Sequence, residues 1–120
     1  MKQKKKSPTN ETTRRILNFL LDNGVFAWRH NVLPVPLPGG GFRPGSKSGI
    51  PDIIGILPAL GGNNRCAGRF LGAEIKTGKD SLRPEQEGFH FTARKLGAVI
   101  FVVKDFDDFL EQWNNFIDNG

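Results

Sequence analysis

From Arg69 to Val103 the chain reads as strand, helix, strand, an order that leaves few folds open. The apolar run Arg69-Phe70-Leu71-Gly72-Ala73 closes on Glu74-Ile75-Lys76, and Thr77-Gly78-Lys79-Asp80 turns the chain. Pro84 suits the first position of a helix running to about Leu96, and Gly97 ends it. Val99 to Val103 is wholly apolar. Two strands joined through a helix lie parallel, with a right-handed crossover. Upstream, Asp52 to Leu57 predicts a buried strand and Val25 to Arg29 a short one. A first helix is expected from Thr9 or Asn10, with Ile16, Leu17, Leu20 and Leu21 as its apolar stripe, stopped by Asn23-Gly24. Asp105 caps a last helix, in which Phe106, Phe109, Leu110, Trp113, Phe116 and Ile117 follow helical spacing. The expected class is α/β, in the order α-β-β-β-α-β-α, with a mixed sheet flanked by helices.

A chain of 120 residues supports one domain with a real core. The expected division is a basic flexible tail over 1–8 and a single domain over 9–120. A hydrophobic share of 38% and a charged share of 24% are ordinary for a globular protein. The net charge of +5 owes part of its excess to Lys2, Lys4, Lys5 and Lys6, either a solvated end or an arm for phosphates. Cys66 is the single cysteine, which excludes an internal disulfide and a thiolate metal cluster and fits a reducing, cytoplasmic setting. No apolar stretch approaches the roughly 20 residues of a membrane span, and the basic N-terminus lacks a signal peptide's apolar segment.

The chemistry is carried by Asp52, Glu74 and Lys76. Strand residues alternate faces, so Glu74 and Lys76 point to one side. Two carboxylates and an ammonium on a sheet are costly unless a metal joins them. A hard divalent cation takes one or two carboxylates plus substrate oxygens, so the set suggests metal-assisted phosphodiester hydrolysis. Lys76 would orient or deprotonate the attacking water, or stabilise developing charge. Gln86, in the first turn of the following helix, lies on the side marked by Phe89, Ala93 and Leu96, the expected buried face. Glu11 opens the first helix and reaches the site from another direction. Each residue alone has a plainer reading: a turn carboxylate for Asp52, an exposed pair for Glu74 and Lys76, a solvated Gln86, and a Glu11 paired with Arg14 or Arg15. The joint pattern is harder to produce by chance.

Gly49-Ile50-Pro51-Asp52-Ile53-Ile54-Gly55, Glu74-Ile75-Lys76, Leu82-Arg83-Pro84-Glu85-Gln86 and Lys95-Leu96-Gly97-Ala98 together resemble the VRR-NUC (virus-type replication-repair nuclease) domain of the PD-(D/E)xK superfamily. Glu11 with Ile16-Leu17, and Gly24 through Asn31, resemble that family's first helix and strand. The resemblance covers about residues 11–104. It implies a restriction-endonuclease-like fold and a Mg²⁺ or Mn²⁺ ion held by Asp52, Glu74 and the Ile75 carbonyl, with Glu11 as a further ligand. It implies that Lys76 is the catalytic lysine and that Glu11 and Gln86 complete the site. Stand-alone members resemble Holliday-junction resolvases and act as dimers on branched DNA, so the expected partners are junction DNA and a second copy. Such a short member suggests a phage or prophage origin. Arg83 stands where the family often has a capping Ser, which puts the local helix start in question.

Arg29, Arg43, Lys47, Lys79 and Arg83 are the expected DNA contacts. The Pro- and Gly-rich residues 34–49 read either as a plain connector or as a basic flap over nucleic acid. His30 reads as a strand-end residue or, alternatively, as a DNA contact or part of the site rim, and His90 as exposed or half-buried; two lone histidines make no zinc site. Gly39-Gly40-Gly41 lacks the context of a phosphate loop. The Phe-rich last helix reads as core, with a dimer interface as the alternative. Its Asp105, Asp107, Asp108 and Glu111 should turn it away from DNA. The rival functions are a sequence-specific restriction-type nuclease, a DNA-binding module without catalysis, and a metal-free interaction protein.

Overall fold

The structure, a computed structural model, describes residues 8–30, 35–43, 47–62 and 64–119. The basic run Lys2 to Lys6 and the loop residues Asn31, Pro34, Pro44, Gly45 and Asn63 lie outside the described residues.

The element order is α1 (Pro8–Asp22), β1 (Phe26–Arg29), β2 (Val35–Pro36), β3 (Phe42–Arg43), β4 (Ile53–Ile56), β5 (Phe70–Ile75), α2 (Pro84–Lys95), β6 (Val99–Val103) and α3 (Phe106–Asn119). One sheet has the order β1-β4-β5-β6. β4 is antiparallel to both β1 and β5, whereas β5 and β6 are parallel, as their connection through a helix requires. The expected α/β arrangement is present. The described residues add a small antiparallel pair, β2 with β3, inside the segment read as a connector, and a 3-10 turn at Asn64–Cys66.

Period-two alternation gives the sheet two unlike faces. Ala27, Ile53, Leu57, Leu71, Ala73, Ile75, Val99, Phe101 and Val103 share the core with Ile16 and Leu20 of α1 and Phe109 and Trp113 of α3. Phe109 and Trp113 of α3 are therefore core, Trp113 packed among Phe19, Phe101, Phe109 and Phe116; of the pair offered for a dimer interface, Trp113 is buried and Phe116 half-buried. Emptying the fully buried Phe109 position would cost about 3–5 kcal/mol. The Asp105 carboxylate accepts from the Asp108 N–H at 2.7 Å, the expected cap of α3. At the other end of the chain Gly24, with φ +78°, takes the left-handed turn that stops α1.

The second face is only partly covered. α2 packs over β6, burying Gln86 and His90, while Phe26, Trp28, Ile56 and Phe70 stay exposed. This corrects the expected buried face of α2: Leu96 is 82% exposed, and the inward positions are Gln86 and His90, one turn apart.

A candidate metal centre at the end of the sheet

The centre forms where β4 begins and β5 ends. The last paired residues are Ile53 and Ala73, and one step further Asp52 and Glu74 meet. Pro51 leaves the ladder and turns over the open face; a Cβ on Gly72 would lie 2.8 Å from the Pro51 ring. The Asp52 side chain takes over the lost ladder bond, its Oδ2 accepting from the Ile75 N–H at 2.8 Å. In an extended strand the N–H and C=O of one residue point the same way, so the Ile75 carbonyl also faces Asp52. Pro51 has no N–H to offer it. Gly49, with φ +85°, brings the approaching chain against α2; a Cβ there would lie 2.2 Å from the Glu85 carbonyl oxygen.

Glu74 is 2% exposed, and its Oε1 has no hydrogen-bond partner. Burial first, then a hydrogen bond with Asp52 and the Asp52 charge, push its carboxyl up to about 8; Lys76 and Arg83 pull the other way. Those interactions place Asp52, Glu74, Lys76 and Arg83 in one electrostatic neighbourhood. Lys76 is half-buried, and its backbone N–H donates to the Val103 carbonyl at 2.8 Å. The plain reading of Glu74 as exposed is thus excluded by its burial.

Gln86 is buried, and its Oε1 accepts from the Arg83 backbone N–H at 2.9 Å. That bond is the N3 half of a capping box; the other half, a side-chain acceptor at position 83, is missing because a guanidinium only donates, and the Gln86 N–H goes to the Arg83 carbonyl instead at 2.9 Å. α2 starts at Pro84 as read from the sequence, so the missing Ser does not displace it. The Arg83 side chain instead pairs with Glu85 at 3.2 Å.

His90 is the residue the sequence reading missed. It is 1% exposed, not half-buried, with Nε2 3.6 Å from Glu74 Oε1 and neither ring nitrogen hydrogen-bonded. Burial, then Arg94 and Lys76, hold its pKa below the ordinary value. Its spacing of four from Gln86 was the available signal.

Glu11 sits in the first turn of α1 and forms an ion pair with Arg14 at 2.5 Å. The same turn is tied to the end of β5 by Thr9 Oγ1 and Thr77 Oγ1, 2.7 Å apart. Of the expected DNA contacts, Arg29 donates to Asn10 Oδ1 at 2.7 Å, while Arg43, Lys47 and Lys79 are exposed. His30 is half-buried and its N–H donates to the Asp52 carbonyl at 2.8 Å. A groove of about 1140 Å³ between α2 and the start of β5, lined by Lys47, Arg69, Phe70 and Phe89, lies apart from the acidic pair.

Among the described residues no group of three or more His, Cys, Asp or Glu side chains is placed to hold a metal ion. The donor set is smaller: two carboxylates, one with an unpartnered buried oxygen, beside a backbone carbonyl. It fits a hard cation that fills its remaining positions with water and substrate oxygens.

No protein-family model matches the chain, and no curated protein matches it. A solved structure described as a VRR_NUC domain is similar with a TM-score of 0.60 and 22% identity, over 94% of this chain and 97% of that one. The likeness takes in nearly the whole of both chains, so this chain has the fold of a VRR_NUC domain.

Proposed function

We propose that the protein is a Mg²⁺- or Mn²⁺-dependent nuclease that hydrolyses phosphodiester bonds in DNA, selects branched or junction structures, and works as a homodimer. The observation that carries this reading is the buried Glu74 carboxylate against Asp52 with Lys76 beside them, on a fold shared with a VRR_NUC domain.

Asp52, Glu74 and the Ile75 carbonyl would hold the cation. When bound, it supplies a water made nucleophilic near neutral pH and charge relief at the phosphate. Asp52 is oriented for this by the Ile75 N–H. Lys76 positions the attacking water and, holding its proton at Nζ, stabilises the charge that develops on the phosphate oxygens. Glu11 and Gln86 complete the site, Glu11 from α1 and Gln86 by fixing the start of α2. Arg29, Arg43, Lys47, Lys79 and Arg83 contact the backbone phosphates, in keeping with a net charge of +5.

Two copies would supply the two cuts that a four-way junction needs. Phe26, Trp28, Ile56 and Phe70, on the open face of the sheet, are exposed apolar surface that a second copy could cover.

The test is cleavage of labelled junction, flap and plain duplex DNA in Mg²⁺, with light scattering alongside. Junction or flap cutting that disappears in Glu74→Ala and in Lys76→Ala is expected. Full activity in both variants would sink the assignment, and discrete fragments from plain plasmid would replace it with a restriction-type enzyme.

A further inference from the structure

We infer that His90 is a positioning residue for Glu74: its Nε2–H holds the Glu74 carboxylate in the orientation that lets it share a divalent cation with Asp52. The inference rests on the metal reading above and adds a residue to it.

Both groups are sealed from water, His90 at 1% and Glu74 at 2% exposure. The buried polar side-chain atoms left without a partner are Glu74 Oε1 and the two ring nitrogens of His90, among the described residues. An unpaired buried polar group costs about 1–3 kcal/mol, so such orphans call for a function. Here they face one another at 3.6 Å, just beyond hydrogen-bond length. A small rotation of either side chain closes the gap.

The ring is well placed to act as a fixed post. His90 is one turn from Gln86, whose Oε1 anchors the start of α2 to the Arg83 N–H at 2.9 Å. A neutral imidazole carries one N–H, and donation from Nε2 leaves Nδ1 without a proton. Once Glu74 is ionised by a cation on its Asp52 side, Oε1 becomes a pure acceptor and the strongest one within reach. The bond then fixes the carboxylate plane, as groups behind a metal ligand do.

The test uses the full chain with Mn²⁺ alone as probe. His90→Phe keeps the ring volume and removes the donor; His90→Gln puts an amide N–H near the position of Nε2. Circular dichroism melts establish that each variant folds. Calorimetric titration is expected to give His90→Phe a Mn²⁺ affinity about 10–100-fold weaker, with most of the loss recovered in His90→Gln. The imidazole ¹⁵N spectrum should show a protonated Nε2 when Mg²⁺ is added, a readout that also decides the matter if His90→Phe does not fold. Equal affinity in the unaltered protein and His90→Phe overturns the inference alone, as does an unprotonated Nε2 in the Mg²⁺-loaded protein. Absence of any Mn²⁺ binding by the unaltered protein overturns the metal reading and this inference with it.

Discussion

The Asp52 carboxylate accepts a 2.8 Å hydrogen bond from the Ile75 N–H, so one oxygen of the acidic pair is tied to the end of the sheet. Asp52→Asn keeps an acceptor for that bond and removes the charge. The expected result is a near-unchanged melting temperature with Mn²⁺ binding and cleavage lost. Asp52→Ala should lose the bond as well, at a further cost of about 1 kcal/mol in denaturant melts. Equal destabilisation by both would show that the bond does not hold the strand end.

The pH profile of stability follows from Glu74. Its pKa rises from 4.5 to about 8 on folding, chiefly through burial. A raised carboxyl binds its proton more tightly in the folded state, so its contribution is full below pH 4.5 and is lost as pH rises through 8. Stability of the metal-free protein should therefore fall across that window, by at most about 1.4 kcal/mol per pH unit. Glu74→Gln, which imitates the protonated form, should flatten the profile and out-melt the parent at the alkaline end while cutting nothing. A parent profile as flat as the variant's would contradict the burial argument.

If Glu74 is a ligand, as proposed, metal and proton compete for its carboxyl. Apparent Mn²⁺ affinity should climb up to about tenfold per pH unit while Glu74 is still protonated, levelling off near 8. Titrations in buffers of different ionisation enthalpy would detect the released proton; binding without release would count against Glu74 as a ligand.

Lys76→Met removes the ammonium and keeps the side-chain length. Cleavage should drop by about 10²–10⁴-fold, with Mn²⁺ affinity held or raised, because a positive neighbour has been removed. A parallel fall in Mn²⁺ affinity would reassign Lys76 to the shape of the site rather than to the water.

Gly49→Ala sets a Cβ 2.2 Å from the Glu85 carbonyl oxygen at φ +85°. Gly24→Ala is a natural control, since φ is +78° there and nothing lies within 4 Å. Both should pay the left-handed backbone cost of roughly 1 kcal/mol. Gly49→Ala should add a loss of cleavage, because pushing residue 49 off α2 drags Asp52 with it. Matching melts and matching rates for the two variants would argue that the approach to α2 is unimportant.

What the residues disclosed in advance was set by how local each signal is. The β5-α2-β6 unit, the cap at Asp105 and Pro84 as the first residue of α2 depend on neighbours in sequence, and they stand as read. The inward face of α2 does not: Phe89, Ala93 and Leu96 share one stripe by spacing, but α2 packs on β6 so that Gln86 and His90 are buried and Leu96 is exposed. His90 looked ordinary because its importance comes from Glu74, on another element. β2 and β3 are two residues each, too short to show alternation among prolines and glycines. For Glu11 the sequence offered both a site role and a pairing with Arg14; the ion pair forms, with Glu11 still in the turn that Thr9 ties to Thr77.

The pairing of Ile53 with Ala73 on the core side has an implication for accuracy. Shifting β4 by one residue against β5 would turn Asp52 toward the packed interior and Ile53 outward. Such a slip would bury a carboxylate among Ile16, Leu20 and Phe109 and strip the core of an isoleucine, so the misaligned chain would scarcely stay folded. Alignment of the acidic pair is thus inherited from hydrophobic packing on the opposite side of the sheet, and molecules that fold are molecules in which Asp52 and Glu74 meet.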